Sequence, residues 1–270
     1  MAVAVQDRLR PVLAAPRLGS ADRVTRYAPW SVEDARSPLK AKLQPELRGL
    51  EDWQRLARDE DWQAAEWTRC ELDPWYWLVN YVVTRDERWM EHGYDGPYRR
   101  FPAKRHLQSY VYILWRYRSV AFPKARQQYV SWLCDSYILG DAQFTRGRLY
   151  MIQSKREADS VMMLRRIRGI YRRQRQLAPW LGPHLVAESA TELRFANDAH
   201  IMAVPSGPHY VQSHTPSLWL ADEAQLQEAT GPEGGIAEAY NQALPACERI
   251  WLVGSADTGW FWERLLQDKE

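Results

Sequence analysis

The run Pro123-Lys124-Ala125-Arg126-Gln127-Gln128-Tyr129-Val130-Ser131 lies between a short apolar stretch and a helix-forming one. A turn that cradles phosphate in such a place needs backbone N–H groups curled round the anion, a cation, a Ser/Thr hydroxyl for Mg²⁺, and a helix N-terminus behind it. Ser131 stands where the hydroxyl belongs. The cation is displaced: Val130 precedes the serine, and Lys124 stands seven residues before it. Tyr129 takes the place of a glycine. A β-carbon in a left-handed residue costs about 1–2 kcal/mol, so the loop must be shaped differently or bind less well. The same residues also read as a basic surface turn.

A second group is Ser217-Leu218-Trp219-Leu220-Ala221-Asp222-Glu223-Ala224. A buried strand ending in Asp-Glu sets two carboxylates at the edge of a sheet. In a nucleotide hydrolase the first holds Mg²⁺ and the second polarises the attacking water. The alternative is an apolar strand followed by an acidic helix cap, Asp222. A third group, Trp251 to Gly259, ends a strand in small polar residues, Ser255-Ala256-Asp257, where a sensor of the terminal phosphate would sit. It also reads as a plain strand-to-helix turn.

The elements that must position these groups follow from periodicity. Apolar runs at 119–123, 149–153, 193–205, 218–222 and 250–255 alternate with helical stretches at 130–140, 156–177 and 234–243. Such alternation argues for βαβ units and a mostly parallel sheet, with ligands at the carboxyl ends of the strands. Ahead of them, 46–88 has three-to-four spacing (Leu47, Leu50, Trp53, Leu56), and Asp73-Pro74 is a helix start. Residues 91–103 read as a loop and 104–117 as a further helix. The predicted organisation is a loosely ordered arm over 1–45, a helical subdomain over 46–100 and an α/β core over 101–270.

Taken in order, these groups resemble the large terminase subunit of tailed bacteriophages, the ATPase of a DNA-packaging motor. PKARQQYVSW is similar to the family's variant Walker A with an early lysine, LWLADEA to its Walker B, and LVGSADTG to its coupling motif. LYMIQSKREADSVMMLRRI, LRFANDAHIMAVPSGPHYVQSHTPS and DPWYWLVNYVVTRDE extend the likeness less specifically, to about residues 70–268. The resemblance implies a P-loop NTPase fold of the RecA/ASCE type, with ATP and Mg²⁺ bound. Lys124 and Arg126 would contact the β- and γ-phosphates, the loop 124–131 would wrap them, and Ser131 and Asp222 would hold Mg²⁺. Glu223 would be the catalytic carboxylate, and Ser255, Ala256 and Asp257 the coupling residues, Asp257 departing from the usual Thr. Gln108 is the candidate for the adenine pocket, with His106 beside it; both also read as helix-surface residues.

The same resemblance implies double-stranded DNA, a portal protein and a small terminase subunit as partners, in the cytoplasm of an infected bacterium. It further implies a ring homo-oligomer on the procapsid, with a monomer in isolation left open. Large terminases carry a nuclease domain after the ATPase. The chain stops about ten residues past the coupling motif, which points to a truncated chain or a split subunit and to no nuclease activity. Two other readings stand beside it: a helicase-like translocase, and a nucleotide-blind DNA-binding or assembly module with a degenerate loop.

Composition narrows the classes without choosing among them. Apolar residues make 46% and charged ones 26% of 270, which excludes a disordered chain as the main reading. No apolar run approaches eighteen residues, and the start has no signal-peptide pattern. Three cysteines fit no metal spacing, and a reducing compartment is expected. The net charge of +2 conceals a local +8 over residues 146–175. On a helix there, Val161, Leu164, Ile167 and Ile170/Tyr171 would face the core and leave Arg165, Arg166, Arg168, Arg172 and Arg173 outside. That face could grip a phosphate backbone without sequence preference, stay a solvated basic face, or pair with an acidic face of a neighbouring subunit. Of fourteen tryptophans, Trp53, Trp62, Trp67, Trp75 and Trp77 lie at helical spacings and read as core or interface anchors.

Overall fold

The computed structural model describes residues 3–5, 58–124, 129–227, 235–255 and 261. The rest of the arm, Leu47 to Leu56, the loop 125–128 and residues 256–257 lie outside them. Two short helices lead: α1 (Glu60–Leu72) and α2 (Pro74–Tyr81). Asp59 caps the first, accepting from the Trp62 N–H at 3.0 Å. Asp73 caps the second, accepting from the Tyr76 N–H at 3.0 Å, with Pro74 at the first helical position. A two-stranded ribbon follows, β2 (Val83–Arg85) against β3 (Tyr98–Arg100); β2 replaces the end of the stretch expected to be helical over 46–88, and β3 lies in the expected loop 91–103. Three-residue strands are too short to show alternation.

From there helix and strand alternate: α3 (Arg105–Arg116), β4 (Ser119–Pro123), α4 (Val130–Phe144), β5 (Leu149–Gln153) and α5 (Glu157–Leu177). A hairpin-rich segment gives β6 (Leu185–Glu188), β7 (Glu192–Phe195) and β8 (His200–Val204). The chain continues through α6 (His209–Gln212), β9 (Leu218–Asp222), α7 (Ile236–Ala246) and β10 (Arg249–Gly254). With β1 (Val3–Val5), the sheet has eight strands in the order β1-β4-β10-β9-β5-β8-β7-β6. The central five, β4 to β8, are mutually parallel, and β1, β7 and β6 run antiparallel to their neighbours. This is the α/β architecture the alternation predicts, and β10 separates β4 from β9.

The central strands β4, β10, β9 and β5 are covered on both faces, which is why they read as continuous apolar runs. Val120, Phe122, Tyr150, Ile152, Leu218, Leu220, Trp251 and Val253 face one cluster with α1 to α5. The alternate residues Ala121, Met151, Trp219, Ala221, Ile250 and Leu252 face a second cluster with α7. The helices α1 and α2 bury Cys70, Trp75, Trp77 and Tyr81 in the first cluster, so they are continuous with the sheet's own core. Trp77 closes that contact: a Cβ on Gly140 of α4 would lie 2.9 Å from its ring. Trp75, Trp77, Trp219 and Trp251 are buried, and Trp62 packs edge-on against Trp180 with centroids 5.4 Å apart. Among the described residues no helix is long and apolar enough to cross a membrane.

Candidate functional site

Register brings the candidate groups to one edge. Pro123 of β4 lies level with Gly254 of β10, and Val253 with Asp222 of β9. The Lys124 N–H continues the ladder, donating to the Gly254 carbonyl at 2.7 Å. Lys124, Ser255, Asp222 and Glu223 therefore all stand at the carboxyl ends of parallel strands.

Three side chains from separate parts of the sequence close a triangle there. The Lys124 ammonium donates to Ser131 Oγ and to Asp222 Oδ1, each at 2.7 Å, and the Ser131 hydroxyl donates to Asp222 Oδ2 at 2.9 Å. The Lys124 and Asp222 side chains are only 15% and 11% exposed, so the pair is shielded from water. The displaced lysine of the sequence is thus spatially where a cation is needed. Ser131 reaches the triangle from the first turn of α4, and Val130 beside it is buried in the core.

Tyr129 caps α4 with φ 61° and ψ 9°, the left-handed region. The loop thus keeps the backbone conformation that glycine would adopt freely and holds it in a residue with a β-carbon. Glu223, directly after β9, is also left-handed, at φ 52° and ψ 42°. Strained non-glycine residues of this sort persist where the surroundings over-determine them and concentrate at functional sites. The Tyr129 ring packs partly against the core, with the Lys104 ammonium 5.6 Å above it at the start of α3. On α3, Gln108 is buried and not on the surface as the periodicity allowed, while His106 is exposed against Tyr110. Tyr110 in turn packs on Phe122 of β4, 5.0 Å between centroids, so the helix packs on the strand that leads into the loop.

Residues that the sequence reading passed over complete the site. Lys155, two residues past β5, pairs with Glu223 at 2.6 Å. Gln225 accepts the Ser255 N–H at 3.1 Å and ties the end of β9 to the end of β10. Gly254 is required beside it, since a Cβ there would meet Gln225 and Phe261. One turn beyond Ser131, Asp135 is fully buried and accepts from Arg166 at 2.6 Å, its other oxygen having no hydrogen-bond partner among the described residues. Burial pushes its carboxyl up to about 7, with Arg166 pulling the other way. Lys155 is one of only six lysines beside thirty arginines, and that rarity was its signal. Asp135 had none, because α4 is apolar nearly all round.

The arginine helix requires a correction. The expectation put all five arginines on an outward face, yet the ribbon, the β6–β7 hairpin and α4 engage four of them. Arg166 bonds Asp135 and lies 4.9 Å over Trp132; Arg168 pairs with Glu188 at 3.5 Å and donates to the Ser189 carbonyl. Arg172 pairs with Glu188 at 2.8 Å, and Arg173 stacks 3.2 Å over Tyr98. Arg165 is exposed, with Met162 Sδ 3.4 Å from its guanidinium. Val161 is half-buried against the core, and Leu164, Ile167, Ile170 and Tyr171 are buried as predicted. Arg126, Ala256 and Asp257 lie outside the described residues. The described residues hold no group of three His, Cys, Asp or Glu side chains able to bind a metal by themselves.

No family model matches the chain, and no curated protein does. Among solved structures, the chain is similar to the HK97 bacteriophage large terminase, at 14% identity and a TM-score of 0.46. That match covers 66% of this chain and 36% of the other, so it spans about a third of the HK97 protein's length. It is also similar to a mutant of the Thermus phage P74-26 large terminase ATPase domain, at 16% identity and a TM-score of 0.45, over 67% of this chain and 74% of that one.

Proposed function

We propose that the chain is a Mg²⁺-dependent ATPase that drives double-stranded viral DNA into a procapsid, the motor domain of a large terminase. The observation that carries this reading is the Lys124–Ser131–Asp222 triangle with Glu223 beside it, built from a strand-loop-helix unit and an acidic strand end. A loop lysine, a helix-start hydroxyl and a strand-end carboxylate are what phosphate and Mg²⁺ require together.

The donors fit the metal. Ser131 Oγ and Asp222 are hard oxygens that already share a cation, the Lys124 ammonium. Mg²⁺ characteristically takes one or two protein oxygens and completes its shell with water and phosphates, so no larger acidic cluster is needed. When bound, it supplies charge neutralisation at the phosphate oxygens. Lys124 would contact the phosphates, and Glu223 would orient the water for in-line attack. Arg126 would add charge at the γ-phosphate, Gln108 would border the adenine, and Gln225 would pass movement of β9 to Ser255. A portal protein, a small terminase subunit and a ring of copies belong to the same proposal. DNA contact rests on Arg165 and the outer edge of Arg172, with the other three arginines bracing the fold.

Tyr129 favours a second reading, a module that no longer binds nucleotide. Steady-state hydrolysis by wild type and Glu223→Ala, with and without DNA, separates the two. The ATPase reading expects Mg²⁺-dependent turnover that falls about 100-fold or more in Glu223→Ala, with binding of a non-hydrolysable ATP analogue retained. Equal rates in the two proteins, or no analogue binding by wild type, would remove it.

A further inference from the structure

A cleft of about 320 Å³ opens where the two leading helices meet α4, and the hydrolysis scheme has no use for it. Trp77, Tyr137 and Phe144 give it aromatic walls, and Glu71, Asp141 and Thr145 add polar ones. We propose that this cleft binds a small organic cation, an alkylguanidinium, at a site separate from the nucleotide edge. Asp141 stands ten residues beyond Ser131 on α4, about 15 Å along the helix. The inference therefore does not depend on the ATPase reading.

Charge selects the class of ligand. Glu71 lies in the last turn of α1 and Asp141 in the last turn of α4, so two helix ends converge on the cleft. A helix C-terminus presents unpaired carbonyls and partial negative charge, which favour a cation. The last turn of α4 has no basic residue and carries a carboxylate instead. Burial would push the Asp141 carboxyl up, but the Arg249 guanidinium outweighs burial and holds it below the usual carboxylate range, so it is charged. The Tyr150 hydroxyl, at 2.7 Å, and the Arg249 guanidinium both donate to Asp141 Oδ2. Its Oδ1 accepts no hydrogen bond among the described residues. Other charges near the cleft pair off, Arg69 with Glu66 and Arg148 with Glu248. Glu71 has no cationic partner among the described residues. Arg249 offsets the charge of Asp141, which leaves Glu71 and the two helix ends to attract a cation.

The walls are set before any ligand arrives. Phe144 packs edge-on to Trp67 and Trp77, with centroids 5.4 and 6.3 Å apart, and Tyr137 edge-on to Trp251 at 5.2 Å. Gly140 lets the Trp77 ring lie directly on α4. Aromatic faces beside carboxylate oxygens suit a guanidinium, which is planar and weakly hydrated and stacks while it donates. An ammonium of the same length is more strongly hydrated and loses more on entering. The volume lies at the small end for ligand sites, which limits the ligand to one guanidinium on a short alkyl stem.

Calorimetric titration of the full chain with n-butylguanidinium tests the site, against n-butylurea as its neutral isostere and n-butylammonium as the alternative cation. Butylguanidinium should bind saturably, butylammonium severalfold more weakly, and butylurea weaker by roughly tenfold or more. Asp141→Asn would leave Arg249 buried without its counter-ion and could simply unfold the chain, so two variants at less buried positions locate the site. Glu71→Gln should weaken butylguanidinium about three- to fivefold, the range for an exposed pair. Thr145→Lys, which sets an ammonium at the cleft, should weaken it roughly tenfold or more. Absence of saturable binding, butylurea binding as tightly as butylguanidinium, or wild-type affinity in both variants overturns the site. Butylammonium binding as tightly as butylguanidinium overturns the guanidinium assignment.

Discussion

Replacing Lys124 by methionine tests the central feature of the site, a carboxylate that requires a cation. In the wild type Asp222 receives hydrogen bonds from the Lys124 ammonium, the Ser131 hydroxyl and the Glu223 N–H. Lys124→Met removes the positive partner found among the described residues and leaves the carboxylate largely buried with two neutral donors there. Breaking a shielded pair from one side costs about 3–5 kcal/mol, and the partial exposure here argues for the lower end, ~3 kcal/mol. Removing both charges, in Lys124→Met/Asp222→Asn, leaves no uncompensated ion and should cost less than ~1 kcal/mol. Urea unfolding with a chelator present measures both. Adding Mg²⁺ should then stabilise Lys124→Met, since Ser131 and Asp222 would hold the metal. At a hundred times its dissociation constant a ligand contributes about 2.7 kcal/mol, close to the loss. The double variant should show no such gain. The reasoning fails if Lys124→Met is within ~1 kcal/mol of wild type without metal, or if Mg²⁺ stabilises the single and double variants equally.

Tyr129→Gly should stay within about 1 kcal/mol of wild type in urea: relief of left-handed strain, ~1–2 kcal/mol, is offset by glycine's unfolded-state freedom and the lost Lys104 contact. Tyr129→Ala keeps the strain and loses the ring, so it should be clearly weaker, by ~1–2 kcal/mol; identical effects of the two would show that the backbone there is unstrained. Asp135 carries a folded pKa raised to about 7 from 3.8, so the folded state holds a proton the unfolded chain has released. That contribution is full below the unfolded value and is lost as pH climbs from about 4 to about 7, at up to ~1.4 kcal/mol per unit. Asp135→Asn should flatten this part of the stability profile, and a slope equal to wild type would contradict the assignment. Arg165→Glu should weaken DNA binding and lower the salt slope by about 1, whereas Arg168→Glu should act on stability by opposing Glu188. Filter binding across a salt series, paired with urea unfolding, tells these apart.

Much of this architecture is legible in the chain because the central strands are buried on both sides. SVAFP, LYMIQ and LWLAD stand out as unbroken apolar runs, and the strands occupy those residues. Asp73-Pro74 announces a helix, since a cap and a proline act through local geometry alone. The ribbon of β2 and β3 was not legible: residues 83–85 continue a stretch that reads as helical, and only pairing with 98–100 makes them a strand. The arginine helix misled for a related reason. Periodicity tells which residues point away from a helix's own core contact, but not that Glu188, Tyr98 and Asp135 arrive from other elements to meet them.

The division is clearest at the site. By itself the sequence determined the chemical types available and the strand ends that carry them: Lys124 and Ser131 around one loop, Asp222 and Glu223 after one strand, Ser255 after another. Only the tertiary structure decided who meets whom. Strand order, with β10 between β4 and β9 and β5 on the far flank, closes the triangle across 98 residues between Lys124 and Asp222, and sets Lys155 against Glu223. Those contacts depend on how strands are shuffled in the sheet. Hydrogen bonding between non-consecutive strands sets that order, and no local pattern encodes it.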